Sequence, residues 1–138
     1  MINSRDMTFA NLRWGRVIVG GFCAELAVFA IVFPVQYLFG QQAFLGSILV
    51  ASAAMPFVFA IWVGRRAESH FVLHGFLVGV VAALFYLILA WGQPEPLLYK
   101  IAHGLKLVGG LLGGIVAARR AAGQRAMQSK TMHTAGSA

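Results

Sequence analysis

The fold is decided by residues 97–120, which read LLYKIAHGLKLVGGLLGGIVAARR. This stretch combines an apolar run of membrane-spanning length with two lysines and a cluster of four glycines. Small residues on a membrane helix let a neighbouring helix approach closely. We therefore expect a spanning helix over 97–118 that packs against another helix and is followed by a basic tail.

Composition supports a membrane protein. Of the 138 residues, 59% are hydrophobic and 11% are charged, whereas roughly a quarter of the residues in a soluble domain are charged. The net charge of +7 comes mainly from Lys and Arg residues outside the apolar runs, so it indicates membrane topology rather than a nucleic-acid surface. We expect the lipid bilayer as a partner and no nucleic acid.

Further apolar runs precede this helix, over 17–39, 44–63 and 71–91. Each approaches or exceeds the roughly 20 residues that cross a hydrocarbon core. The connection at 40–42 is so short that the first two helices should lie antiparallel. The sequence predicts an all-α fold, an integral-membrane four-helix antiparallel bundle over 17–120. Pro34 and Pro56 lie inside these runs and are expected to kink the helices.

The flanking segments carry much of the charge. Residues 1–16 are predicted to form a cytoplasmic arm, and residues 121–138 a polar cytoplasmic tail that is disordered. Lys and Arg concentrate there and in the loop with Arg65 and Arg66, whereas the other two loops have none. Because positive residues remain cytoplasmic, both termini are predicted on that side of a bacterial inner (plasma) membrane.

Glu25 and Lys106 are ionisable residues within apolar runs, where a charge is costly and usually faces the bundle interior. From the helix rise, Glu25 lies roughly 12 Å and Lys106 roughly 18 Å from the cytoplasmic boundary. A lysine side chain spans most of that difference, so we expect the two to pair or share a polar pocket. In one alternative, the pair has no role beyond fixing the helix register. In another, Glu25 is a proton or cation site. In a third alternative, Glu25 is protonated and Lys106 extends outward without contact.

Small residues are expected to bring the helices of Glu25 and Lys106 together. On the last helix, four glycines recur at the spacing of two overlapping close-contact pairs: Gly109, Gly110, Gly113 and Gly114. On the first helix, Gly20 and Gly21 lie about one turn before Glu25. The sequence therefore predicts that the first and fourth helices pack through these glycines.

The third helix carries Gly75 and Gly79, a further close-packing stripe that faces either a neighbouring helix or a second copy of the chain. His70 and His74, near Glu68, are four residues apart and share a face. Two imidazoles at this spacing can contact a metal, but no third histidine or cysteine lies in the segment. We expect interface histidines and no metal site.

Lys100 and His103 form, together with Lys106, a cationic face on the last helix. This face could attract an anion or a lipid head group. An outward-reaching Lys100 and a packed His103 are the simpler interpretation.

The layout resembles small four-helix bacterial membrane proteins of unknown function, in which a glycine-rich last helix ends in a basic tail. The segment GGFCAE at residues 20–25 resembles the first helix of the small multidrug resistance transporters. That resemblance implies a four-helix exchanger in which Glu25 would bind protons and cationic drugs. It covers about one helix, and the pattern of their second and third helices is absent.

The sequence contains no nucleophile near a suitable base, no paired carboxylates and no phosphate-binding loop after a strand. We therefore expect no enzyme activity and no cofactor. The favoured function is a structural, accessory or interaction role, as a homo-oligomer or as part of a larger membrane complex. The alternative is a small proton-coupled transporter or channel that uses Glu25.

Overall fold

The computed structural model describes residues 13–65, 67 and 70–135, and these residues form three helices. They are α1 (Trp14–Gly64), α2 (Phe71–Leu89) and α3 (Leu97–Ala135). The prediction of four separate helices is wrong, because the predicted helices 17–39 and 44–63 lie in one 51-residue element, α1, which is interrupted only at Gly40. No strand occurs among the described residues.

The continuity of α1 has a simple cause. The predicted connection at 40–42 holds two glutamines, which are good helix formers, and no proline or charge. Within α1, which the structure describes completely, Gly40 is the only residue with non-helical backbone angles, φ 81° and ψ −173°. This conformation is essentially restricted to glycine. The chain therefore needs a single residue, rather than a loop, to change direction.

The two segments of α1 on either side of Gly40 fold back on each other. We call them the first segment (14–39) and the second segment (41–64). Val28 and Val32 of the first segment form one buried cluster with Ile48 and Ala51 of the second. At the opposite end, Gly20 lies against the Val63 side chain. The reversal at Gly40 therefore creates the first helix–helix contact of the fold.

Several predicted features of the flanking and connecting segments differ in the structure. Pro34 and Pro56 lie inside α1 with helical backbone angles, which a membrane helix can accommodate, and the kinks expected at them stay a prediction. The helix α3 continues through the predicted disordered tail as far as Ala135. The predicted placement of both termini on one side of the membrane stays a prediction.

Some sequence predictions concern residues that the structure does not describe. Residues 1–12 of the predicted amino-terminal arm lie outside the described residues, and α1 already begins at Trp14. Arg66 and Glu68 of the central loop also lie outside them. The end of the predicted tail, residues 136–138, is outside as well.

The outer surface of the helices is apolar. Tyr37, Phe39 and Trp91 are among the most exposed hydrophobic residues, with exposed fractions of 91%, 72% and 85%. All three helices are long and apolar enough to cross a membrane. Large exposed apolar surfaces are unusual on soluble monomers. The described structure is therefore consistent with a membrane protein.

The helices α2 and α3 complete the bundle. His70 precedes α2 in a left-handed conformation, with φ 54°, and Gly92 (φ 79°) forms part of the turn towards α3. A second buried cluster joins Val17 and Val63, from the two segments of α1, to Val78 of α2. Both α1 and α2 pack against α3.

We expect Gly40→Ala to destabilise the fold by about 1–3 kcal/mol, because alanine is strained at this positive φ. The matched control is Gly46→Ala, since Gly46 is helical in α1 and an added Cβ would meet no atom within 4 Å. Unfolding free energies in detergent, measured by a denaturant titration, provide the comparison. Equal stability of the two variants would contradict the assigned role of Gly40.

Candidate functional site

Glu25 and Lys106 meet inside the bundle. The Nζ atom of Lys106, on α3, donates a hydrogen bond to Oε1 of Glu25, on α1, at 2.8 Å, and it lies 2.7 Å from Oε2. Each residue is only 2% exposed. The ammonium thus contacts both carboxylate oxygens, which compensates part of the cost of burying two charges.

The third helix also reaches this pair. The ring of Tyr86, on α2, lies under the Lys106 ammonium, with Nζ 4.9 Å from the ring centroid. This geometry corresponds to a cation–π interaction, which strengthens where water is excluded. Lys106 therefore contacts groups from both other helices, and all three helices meet at one side chain.

Tyr86 also belongs to an aromatic group that lies beside the ion pair. Its ring stacks on Tyr99 at 5.7 Å and on Phe29 at 6.4 Å, and it is tilted against His103 at 4.8 Å. His103 Nε2 lies 3.4 Å from Oε1 of Glu95, in the turn before α3. These contacts connect the pair to the end of the bundle that contains the α2–α3 turn.

A cavity of about 350 Å³ opens next to the ion pair. Aromatic side chains make up much of its wall: Phe29, Phe33, Phe44, Tyr86 and Tyr99. Its polar lining groups include Glu25, Lys106, Ser52 and His103. The cavity extends to Gln36 and Gln41, which are exposed near Gly40. It therefore connects the buried pair with the surface of the bundle near the reversal of α1.

The glycine contacts differ from the prediction that the first and fourth predicted helices pack through their glycines. Gly109 lies against the Ala53 carbonyl, and Gly113 lies against Phe57 and Ala60. All three of these neighbours belong to the second segment of α1, not to the first. The first segment instead contributes Glu25 to the contact with α3.

The remaining α3 glycines face α2. Gly110 lies against Gly75 and Gly79, and Gly114 lies against Phe71 and Val72. The stripe of Gly75 and Gly79 therefore faces a neighbouring helix in this structure. Successive residues of a helix point about 100° apart, so the adjacent glycines of α3 serve two different neighbours.

The glycines of the first segment also have other neighbours than predicted. Gly20 lies against Val63 and Val78, and Gly21 lies against Val81. These valines belong to the second segment of α1 and to α2. The predicted contact of Gly20 and Gly21 with α3 is therefore wrong.

The histidines near the start of α2 contact the protein itself. His74 is 2% exposed, and its Nδ1 lies 2.9 Å from the His70 carbonyl oxygen. Its Nε2 lies 3.4 Å from the backbone nitrogen of Arg13, which donates to it. Both ring nitrogens of His74 thus have protein partners, so this side chain anchors the start of α1 to α2. The His70 residue is exposed.

The predicted cationic face runs from the surface into the bundle. Lys100 is exposed, His103 is partly buried and Lys106 is buried. Only Lys106 reaches Glu25. Among the residues that the structure describes, no group of three or more His, Cys, Asp or Glu side chains could hold a metal ion.

Sequence reasoning missed Tyr86 and Ser52 as lining residues. Both carry hydroxyl groups within otherwise apolar helices, and that polarity was the available signal. Neither residue type is rare enough in membrane helices to identify a site on its own. Comparisons with protein-family models, curated proteins and solved structures found no match for the chain.

We expect Gly110→Ala to cost about 1–3 kcal/mol of stability, because the new methyl would press on the backbone of α2. An added Cβ at Gly110 would lie 3.0 Å from the Gly79 nitrogen. Gly104→Ala is the control on the same helix, since no atom lies within 4 Å of an added Cβ there. Thermal unfolding in detergent compares the two variants. A Gly110→Ala protein that unfolds at the same temperature as the parent would contradict the close α2–α3 packing.

Proposed function

We propose that this chain is a multi-pass inner-membrane protein with a structural or accessory role, in which the Glu25–Lys106 pair fixes the packing of the helices. The observation that carries the proposal is the mutual burial of the two charged groups, with Nζ–oxygen distances of 2.8 and 2.7 Å. A pair of this kind can select one arrangement of helices, because misaligned arrangements leave a charge unpaired. The partner of the protein in this role is a second copy of the chain or another membrane subunit.

The energetic argument depends on which partner is removed. Losing one member of a buried pair leaves an uncompensated charge and typically costs about 3–5 kcal/mol. Replacing both members with apolar residues of similar size is often neutral or stabilising. A structural pair therefore has a characteristic pattern of single and double substitutions.

We expect Glu25→Met and Lys106→Met each to destabilise the protein by about 3–5 kcal/mol, and the double variant to recover most of this loss. Denaturant titration in detergent measures the three unfolding free energies. Glu95→Gln is the control, because the Glu95–His103 contact is longer and more exposed and should contribute less than about 1 kcal/mol. A double variant that is as unstable as the sum of the single variants would contradict the structural role.

A second candidate function is a small proton-coupled transporter in which Glu25 is the coupling acid. The observation that favours it is the position of Glu25 in the lining of the cavity. An intramembrane carboxylate beside a cavity is a common element of proton and substrate pathways. Lys106 argues against this function, because its ammonium already contacts the Glu25 carboxylate that would bind a proton or a cation.

If Glu25 is a coupling acid, adding cations or hydrophobic amines to the purified protein should release protons. The release should disappear in Glu25→Gln and in the Glu25→Met/Lys106→Met double variant. A pH indicator in weakly buffered detergent solution measures it. A folded parent protein that releases no protons with any compound of the panel would exclude exchange of those compounds and leave the structural role.

A further inference from the structure

The cavity next to the ion pair has the features of a ligand site. Its volume of about 350 Å³ lies within the range of roughly 300–1,000 Å³ that is typical of small-molecule pockets. One end is formed by buried residues, including Ser52, which is 1% exposed, and the other end includes Phe33, which is 60% exposed. A ligand therefore has both an enclosed end to occupy and a direction of entry.

The wall of the cavity favours an aromatic ligand. Phe29 stacks on Phe33 at 5.6 Å and on Tyr86 at 6.4 Å, and Tyr86 stacks on Tyr99 at 5.7 Å. These four rings contact one another in series, and all four line the cavity. Aromatic rings prefer offset-stacked or edge-on contacts with further rings, so a flat aromatic ligand gains more here than a compact aliphatic one.

Three buried polar atoms in the lining lack a hydrogen-bond partner among the described residues. They are Ser52 Oγ, His103 Nδ1 and Glu25 Oε2, the last of which lies 2.7 Å from the Lys106 ammonium. His103 Nε2 lies 3.4 Å from a Glu95 oxygen, so Nδ1 is the ring nitrogen that is left for a ligand. Ser52 Oγ can donate or accept. A ligand hydroxyl matches such groups, because it both donates and accepts.

The charge of the lining favours a neutral ligand. Glu25 and Lys106 are its two oppositely charged side chains, and they contact each other at 2.7 Å. An organic cation would meet the Lys106 ammonium, and an anion would meet the Glu25 carboxylate. Either ligand would have to disrupt a buried pair, which is costly.

We propose that this cavity binds a neutral aromatic molecule that carries a hydroxyl group. The ring lies against the Phe29–Tyr86–Tyr99 surface, and the hydroxyl bonds to Ser52 Oγ at the buried end. The proposal goes beyond the structural role of the ion pair, because ligand binding leaves the pair intact. Failure of binding would therefore not affect the substitution pattern expected for Glu25 and Lys106.

The test uses naphthol as the probe and equilibrium dialysis of the full-length protein in detergent, with protein-free micelles subtracted. We expect saturable naphthol binding that Ser52→Ala weakens by about 3- to 10-fold, which corresponds to one neutral hydrogen bond. Naphthalene should bind Ser52→Ala and the parent equally. The matched control is Ser47→Ala, since Ser47 Oγ bonds to the Phe44 carbonyl of its own helix and does not line the cavity.

A second comparison requires no substitution in the protein. Methoxynaphthalene keeps the rings and the oxygen of naphthol but lacks the hydroxyl hydrogen, so we expect it to bind the parent protein more weakly. Equal affinity for naphthol and methoxynaphthalene would overturn the proposal, as would unchanged naphthol binding in a folded Ser52→Ala protein. Preferential binding of a naphthyl trimethylammonium cation would also overturn it and would indicate a cation site at Glu25.

Discussion

The packing of this protein depends on the contact between the Lys106 ammonium and the Glu25 carboxylate. Two charges that are each 2% exposed have little contact with the solvent that would stabilise them separately. They must therefore meet, and α1 and α3 must take positions that allow them to. The ring of Tyr86, 4.9 Å from the same ammonium, extends this constraint to α2. One lysine side chain thus relates all three helices.

Glycines make this meeting sterically possible. The second segment of α1 and α2 both approach the α3 backbone at positions where α3 has no side chain, with Ala53 at Gly109 and Gly79 at Gly110. Gly40 has a different role, because its positive φ turns α1 back on itself. Close approach and reversal together bring the first segment, with Glu25, alongside α3.

Much of the secondary structure is predictable from the sequence, because long apolar runs leave few alternatives to helices in a membrane protein. The number of helices is not predictable from the sequence, because a short connection without charge or proline can remain helical except at one glycine. The neighbours of the α3 glycines cannot be predicted from the sequence either, since adjacent positions face different directions and sequence spacing does not assign their partners. The cavity is a tertiary feature, and residues such as Tyr86 and Ser52 acquire their role only through the arrangement of distant segments.

The ion pair and the cavity suggest different uses of the same interior. In the proposed role the pair holds the helices together, and the adjacent aromatic walls leave space that the pair does not fill. The most direct test of the central claim is a solid-state NMR measurement of the dipolar coupling between lysine ¹⁵Nζ and glutamate ¹³Cδ in bilayers. The account predicts the strong coupling of a direct contact, as the Nζ–oxygen distance of 2.7 Å requires, and its loss in Lys106→Met. A folded protein in bilayers that shows no such coupling would contradict it.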